Sequence, residues 1–194
     1  MSLSVSVFAE QAQIAFDSLP VAKIVDFPFA QGHFLPYSQA RFAVVQEQAL
    51  RVRLTAFEVG GPSDSAMSLL LAAPGAADGA LLLTVRPGGG LTVLLRGQAL
   101  AHPAVTAFPL DGEDLQGEFW GADLYIPRQI IRYVFPSCRL TAGETLGCNV
   151  LKHKGGEPEA FGCLFVPNLD AAGASDPSVQ AEALCCGSLT LTAY

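Results

Sequence analysis

Between residues 40 and 59 the chain reads ARFAVVQEQALRVRLTAFEV, and within it Leu50, Val52, Leu54 and Ala56 alternate with Arg51, Arg53, Thr55 and Phe57. A period of two sends these sets to opposite faces of a strand, whereas the 3.6-residue period of a helix would mix them. The stretch therefore demands a sheet with one buried face. Glu47 to Ala49 reads as a short hairpin connection to the preceding run at 42–46. The rhythm continues downstream. AMSLLLAA and GALLLTVR are joined through PGAAD, and RPGGG then turns the chain into LTVLLRG. These are three strands at a spacing of roughly 12 residues, as in antiparallel sandwiches and barrels. LQGEFWGADLYIP (115–127) and the terminal GSLTLTAY add two more, and VAKIVDFPF is a shorter signal near the start. Only PRQIIRYVF (127–135) reads as a helix, with Pro127 at its first position. NLDAAGASDPSVQAEA (168–183) reads as a loop. The expected fold is an all-β antiparallel β-sandwich, immunoglobulin-like or jelly-roll-like, with about ten or more strands and one short helix. Its expected extent is a single domain over 1–194.

Composition narrows the function. Hydrophobic residues make up 51% of the chain and charged residues 15%, which excludes a disordered chain. The most apolar segment, 66–85, is interrupted by Pro74, Gly75 and Asp78, so it reads as two strands and not as a membrane span. Eighteen acidic against eleven basic residues give a net charge of −7, which argues against a nucleic-acid partner. The N-terminal MSLSVSVFAEQAQ has neither the basic region nor the apolar run of a secretory signal. Together with an odd number of cysteines, five, this points to free thiols and a cytoplasmic location.

Catalytic and metal-binding patterns are weak. RPGGG lacks the Gly-Lys-Ser/Thr ending of a phosphate loop and leads into a strand, so it reads as a hairpin turn. No Gly-x-Ser-x-Gly elbow occurs. Cys148 with His153 would be a thiol–imidazole pair only if the fold joined them, and Leu146 and Val150 beside the cysteine suggest packing. Cys138, Cys148, His153 and Cys163 match no compact zinc spacing. Asp111, Glu113, Asp114 and Glu118 in DGEDLQGE could offer oxygens to Ca²⁺, but no specific motif arranges them, and no cofactor is expected. Cys185 and Cys186 read as neighbours in a strand, not as a redox disulfide. Glu118 and Asp123 flank an aromatic strand, as glycosidase carboxylates flank a cleft, but so acidic a chain supplies such pairs by chance. Trp120 shares parity with Ala122, Leu124 and Ile126 and is expected in the core, leaving Phe119, Asp123 and Tyr125 on the other face.

One resemblance is carried by several segments together. LYIPRQIIRYVF is followed by AGETLGCNVLK, which places Gly143, Asn149 and Lys152 in the pattern G-x-x-x-x-x-N-x-x-K. Upstream, ALRVRLTAFE, SDSAMSLLLA and GALLLTVRPGG follow in order, and CGSLTL closes the chain with Cys186 where Phe is usual. From about residue 20 onward the chain resembles the family 9 carbohydrate-binding modules, in the broad sense that includes stand-alone bacterial proteins. The resemblance implies a sandwich fold and non-catalytic carbohydrate binding, with a possible link to carbohydrate catabolism. Family binders hold a terminal sugar between two tryptophans, whereas this chain has one.

The expected site residues are Asn149, Lys152, Arg86, Glu58 and Tyr125, polar or aromatic groups at strand ends with no catalytic role. Asn149 and Lys152, three apart in a strand, are expected on opposite faces. Asn149 could instead tie down neighbouring backbone, and Lys152 could lie over the sheet. The expected ligand is a small molecule or oligosaccharide. The alternative is a structural or protein-interaction sandwich that has lost sugar binding and pairs through an apolar surface, for instance as a homodimer.

Overall fold

The alternating segments form strands in a computed structural model that describes residues 1–8, 16–30, 37–75, 79–101, 104–170, 177 and 180–193, with 4–8 described by backbone alone. The strands are β1 Ser2–Phe8, β2 Ala22–Ile24, β3 Ser38–Val45, β4 Ala49–Ala56, β5 Ser65–Ala72, β6 Leu81–Val85, β7 Leu91–Leu95 and β8 Gln98–Ala99. β9 Thr106–Asp114, β10 Gly117–Pro127, β11 Thr145–Lys154, β12 Gly162–Cys163 and β13 Gly187–Ala193 complete the set. Two single-turn helices, α1 Arg128–Ile131 and α2 Ala181–Leu184, accompany them. The architecture is an all-β sandwich. α1 lies within the segment that the sequence marks as helical, with Pro127 as its cap and not its first residue. α2 forms at the end of the stretch read as a loop, most of which (171–176, 178 and 179) lies outside the described residues.

The hydrogen-bonded order is β8-β7-β6-β5-β11-β13-β1-β3-β4-β10-β9. β1 joins the two layers: it runs parallel to β13 over Ser2–Val7 and parallel to β3 at Val7 and Phe8. The pairing is otherwise antiparallel. A second link lies on the same side, where Asp26 bridges to Cys163. The back sheet is thus β8-β7-β6-β5-β11 with β12 and β13, and the front sheet is β2 and β3 followed by β4-β10-β9.

The alternation at 50–56 does what its period requires. Leu50, Val52, Leu54 and Ala56 are fully buried and pack with Met67, Leu69, Leu71, Leu81, Leu83 and Val150 of the back sheet. Trp120 joins this core from β10, as its parity predicts. At roughly 25 cal/mol per Å² of apolar surface, this shared core is the main stabilising term.

β5 and β6 do not alternate in burial, because the back sheet is covered on both faces. Its outer residues Leu70, Ala72, Leu82 and Leu151 pack against Phe161, Cys163, Ala181 and Leu184 from the chain that follows β11. The few polar groups on that face answer one another: the Ser68 hydroxyl lies 2.8 Å from the Thr84 hydroxyl and 2.8 Å from His153 Nε2. The apolar runs SLLLA and LLLTV are therefore strands buried twice over. Phe16 and Leu19 pack on Ala43 over part of the front sheet's outer face, and among the described residues the rest of that face is open.

Candidate functional site

The open face is built by the register of four strands. Cross-strand pairing lays out successive rows across β3, β4, β10 and β9: Gln39–Thr55–Gly121–Leu110, then Arg41–Arg53–Asp123–Phe108, then Ala43–Arg51–Tyr125–Thr106. Arg51, Arg53, Asp123 and Tyr125 share this face because each lies an even number of residues from its neighbour in the strand. In the centre, Gly121 has no side chain. A Cβ there would lie 1.9 Å from the Leu54 carbonyl oxygen, so the close approach of β10 to β4 requires glycine.

Two adjoining hollows result, sharing Leu110. One, of about 530 Å³, is lined by Arg51, Thr106, Phe108, Asp123 and Tyr125. The other, of about 310 Å³, is lined by Gln39, Arg41, Arg53, Thr55 and Phe119 among others. Aromatic rings stand at both ends. Phe108, 53% exposed, meets Tyr125 edge-on at a centroid distance of 6.0 Å. At the other end Phe57 lies between Tyr37 at 5.3 Å and Phe119 at 5.9 Å.

Charge is concentrated in the middle. Asp123, 5% exposed, accepts from Arg51 Nε at 3.0 Å, Arg51 Nη2 at 2.7 Å and Arg53 Nη2 at 2.9 Å. The hydrogen bonds to Asp123 raise the Arg51 pKa above its ordinary value. Its guanidinium also lies 3.8 Å from the Phe16 ring centroid, and Phe16 itself is buried. Burial lowers the Arg41 pKa in spite of its pairing with Asp17. Planar, fixed guanidiniums and a fixed carboxylate beside partly exposed rings can hydrogen-bond hydroxyls and pack the C–H face of a polar ring.

Of the expected site residues, only Tyr125 lines these hollows. Asn149 and Lys152 fall on opposite faces of β11, as their spacing requires, and both are buried. Asn149 lies on the covered outer face of the back sheet. Its amide donates to the carbonyls of Phe165 at 2.8 Å and Leu184 at 2.7 Å, and its oxygen accepts from the N–H groups of Val150 and Phe165. Lys152 points into the sandwich and pairs with Glu58 at 3.1 Å, where both side chains are less than a tenth exposed. Ser65 accepts from Lys152, and Ser65 Oγ and Trp120 Nε1 both donate to Glu58 Oε2. Arg86 is exposed at the β6–β7 turn and lines neither hollow. The expected rim is therefore four places: a buried pin, a buried ion pair, an exposed turn and an open face.

Other candidates also separate. Cys148 faces the core while His153 bonds to Ser68 on the opposite face, so they form no pair. Burial pushes the Cys148 thiol well up and those of Cys163 and Cys185 to about 12, which keeps them protonated and poorly nucleophilic. All five cysteines are free. Among the described residues no group of three or more His, Cys, Asp or Glu side chains could hold a metal ion. The DGEDLQGE acids sit on the β9–β10 hairpin, where Asp114 caps Gln116 N–H and Glu118 accepts from Gly60 N–H. Among the described residues no helix is long and apolar enough to cross a membrane.

The fold has a known counterpart. It matches the crystal structure of a "putative carbohydrate-binding protein" from Bacteroides uniformis with a TM-score of 0.71 over 98% of each chain, at 13% sequence identity. That likeness establishes a shared fold. No protein-family model matches the chain, and no curated protein matches it.

The arginine face was only partly readable beforehand. The alternation marks Arg51 and Arg53 as outward-facing, but nothing local says that their face stays open or that Arg41, Phe108 and Asp123 share it.

Proposed function

We propose that the protein binds carbohydrate without catalysing a reaction, on the outer face of the front sheet. The observation that carries this reading is the pair of adjoining hollows in which the exposed Phe108 and the half-buried Tyr125 and Phe119 flank fixed guanidiniums and a carboxylate. A sugar presents the complementary surface: an apolar C–H side for Phe108 and Tyr125, and hydroxyls for Arg51, Asp123 and Thr106. The fold shared with the Bacteroides protein and the sequence resemblance to family 9 modules both support it. Within this reading Asn149, Lys152 and Glu58 hold the scaffold while Tyr125 meets ligand.

Such an open site binds in the micromolar to millimolar range, about 4–8 kcal/mol. Calorimetry against a panel of neutral and acidic oligosaccharides is the test. Tyr125→Ala and Phe108→Ala should each weaken binding about tenfold, or about 1.4 kcal/mol, while the melting temperature stays near wild type. Absence of binding by any oligosaccharide at millimolar concentration would overturn the proposal. Combined with a stable dimer in light scattering, that absence would favour the protein-interaction alternative.

A further inference from the structure

We infer that the carbohydrate is acidic, and that Arg41 and Arg53 form the subsite for its carboxylate, a position held in this structure by Asp17. The inference deepens the proposed function and rests on its assignment of the site to this face.

The first reason is the gathering of guanidiniums. Arg41, Arg51 and Arg53 stand side by side on β3 and β4 and share this face with three carboxylates, Asp17, Asp123 and Asp114, the last lining the same hollow as Arg41 and Arg53. A cluster of fixed guanidiniums is a surface that carboxylates complement.

The two carboxylates bonded to these arginines are also not equivalent. Asp123 belongs to the sheet and is clamped by Arg51 and Arg53. Asp17 comes from outside the sheet, and its side chain is 66% exposed. A single oxygen, Oδ1, accepts from both Arg41 Nη1 at 3.2 Å and Arg53 Nη1 at 2.5 Å. One exposed carboxylate held by one oxygen is a weak anchor, because solvent screens the pair. Asp17 thus marks the position a ligand carboxylate would take and can be displaced by one.

The guanidiniums have donors to spare. Among the described residues the buried Nε–H groups of Arg41 and Arg53 have no hydrogen-bond partner. Arg41 is the less compensated of the two, bonded through its side chain to Asp17 alone. A guanidinium prefers the bidentate, planar match that a carboxylate offers. The 310 Å³ hollow beside the pair, lined also by Gln39, Thr55 and Asp114, has room for the ring that would bear it.

The test compares an oligogalacturonide with its methyl ester, which keeps the backbone and removes the charge. Calorimetry on wild type should show the acid binding at least tenfold tighter than the ester. Arg41→Gln should bring the acid-to-ester ratio close to one. Asp17→Asn, at an exposed position that leaves folding intact, should raise that ratio severalfold by removing the internal competitor. A ratio near one in wild type and unchanged in Asp17→Asn would overturn the inference while leaving carbohydrate binding in place. A second arm uses no oligosaccharide. Sodium glucuronate, but not glucose, should shift the Nε–H resonances of Arg41 and Arg53 in NMR spectra. Shifts without binding of any oligosaccharide would keep the carboxylate subsite and remove the oligosaccharide reading. No shifts and no binding would remove both.

Discussion

Replacing Glu58 with alanine is expected to lower the unfolding free energy by about 3–5 kcal/mol, the largest effect of any single change in the buried polar groups. Glu58 answers three donors. Its carboxylate lies 3.1 Å from Lys152 Nζ, 2.6 Å from Ser65 Oγ and 2.8 Å from Trp120 Nε1. Removing it leaves a buried ammonium with no counter-charge and an indole N–H without its acceptor. The Lys152 side chain is only 2% exposed, so water cannot take the place of the lost partner. Urea denaturation, followed by the fluorescence of the single tryptophan, measures the change directly. A loss below about 1 kcal/mol would mean that the interior tolerates the stranded charge and that the pair has little structural weight.

The pH dependence provides a second readout. Burial lowers the Lys152 pKa below 10.5, and Glu58 works against that shift. The folded state therefore releases this proton at lower pH than the unfolded state. Between the two pKa values the unfolded chain binds more protons, so this group's contribution to stability grows as pH rises towards 10.5. In Glu58→Ala the opposing influence is gone, and the rise should begin at lower pH and become larger.

Asn149→Ala is expected to cost about 2–4 kcal/mol, because several buried backbone groups lose their partners together. The side chain holds the carbonyls of Phe165 and Leu184 and the N–H of Phe165, fastening two separate segments to β11. Hydrogen exchange should show faster exchange at 161–166 and 181–187, while the front sheet keeps its protection. Asn149→Asp should be at least as damaging, since a carboxylate would face two carbonyl oxygens. If Asn149→Ala melts with wild type and these segments exchange no faster, the amide is not the pin that its geometry describes.

Both changes concern residues that the sequence marks out for ligand contact. The spacing of Asn149 and Lys152 was legible, since three residues along a strand reverse the face. What each face meets was not. The partners of Asn149 lie 16 and 35 residues further along the chain. No local pattern announces that Phe165 and Leu184 return to cover that face. The same holds for Glu58, which ends a strand and could point to solvent, yet meets Lys152 across the interior. Tyr125 differs because, among the described residues, the cover that Phe16 and Leu19 give the front face stops short of closing its hollow.

β1 shows a second kind of limit. MSLSVSVF alternates, but no hairpin partner adjoins it, and its pairing is parallel with the last strand of the chain. The acidic stretch at 111–114 was similarly hidden. Its charges suggest a solvated turn, but β9 is an edge strand with one face in water, where acidic residues are tolerated.

The sequence alone determined the sandwich and, in β4, β10 and β11, the side of the strand on which the key residues lie, because period-two alternation is a local property that burial reads directly. Tertiary structure alone decided which outer face is closed over and which keeps open hollows, because that depends on distant segments competing for the same apolar surface. The chain after β11 covers the back sheet, which buries Asn149, and the front sheet keeps its arginines and Tyr125 at the surface.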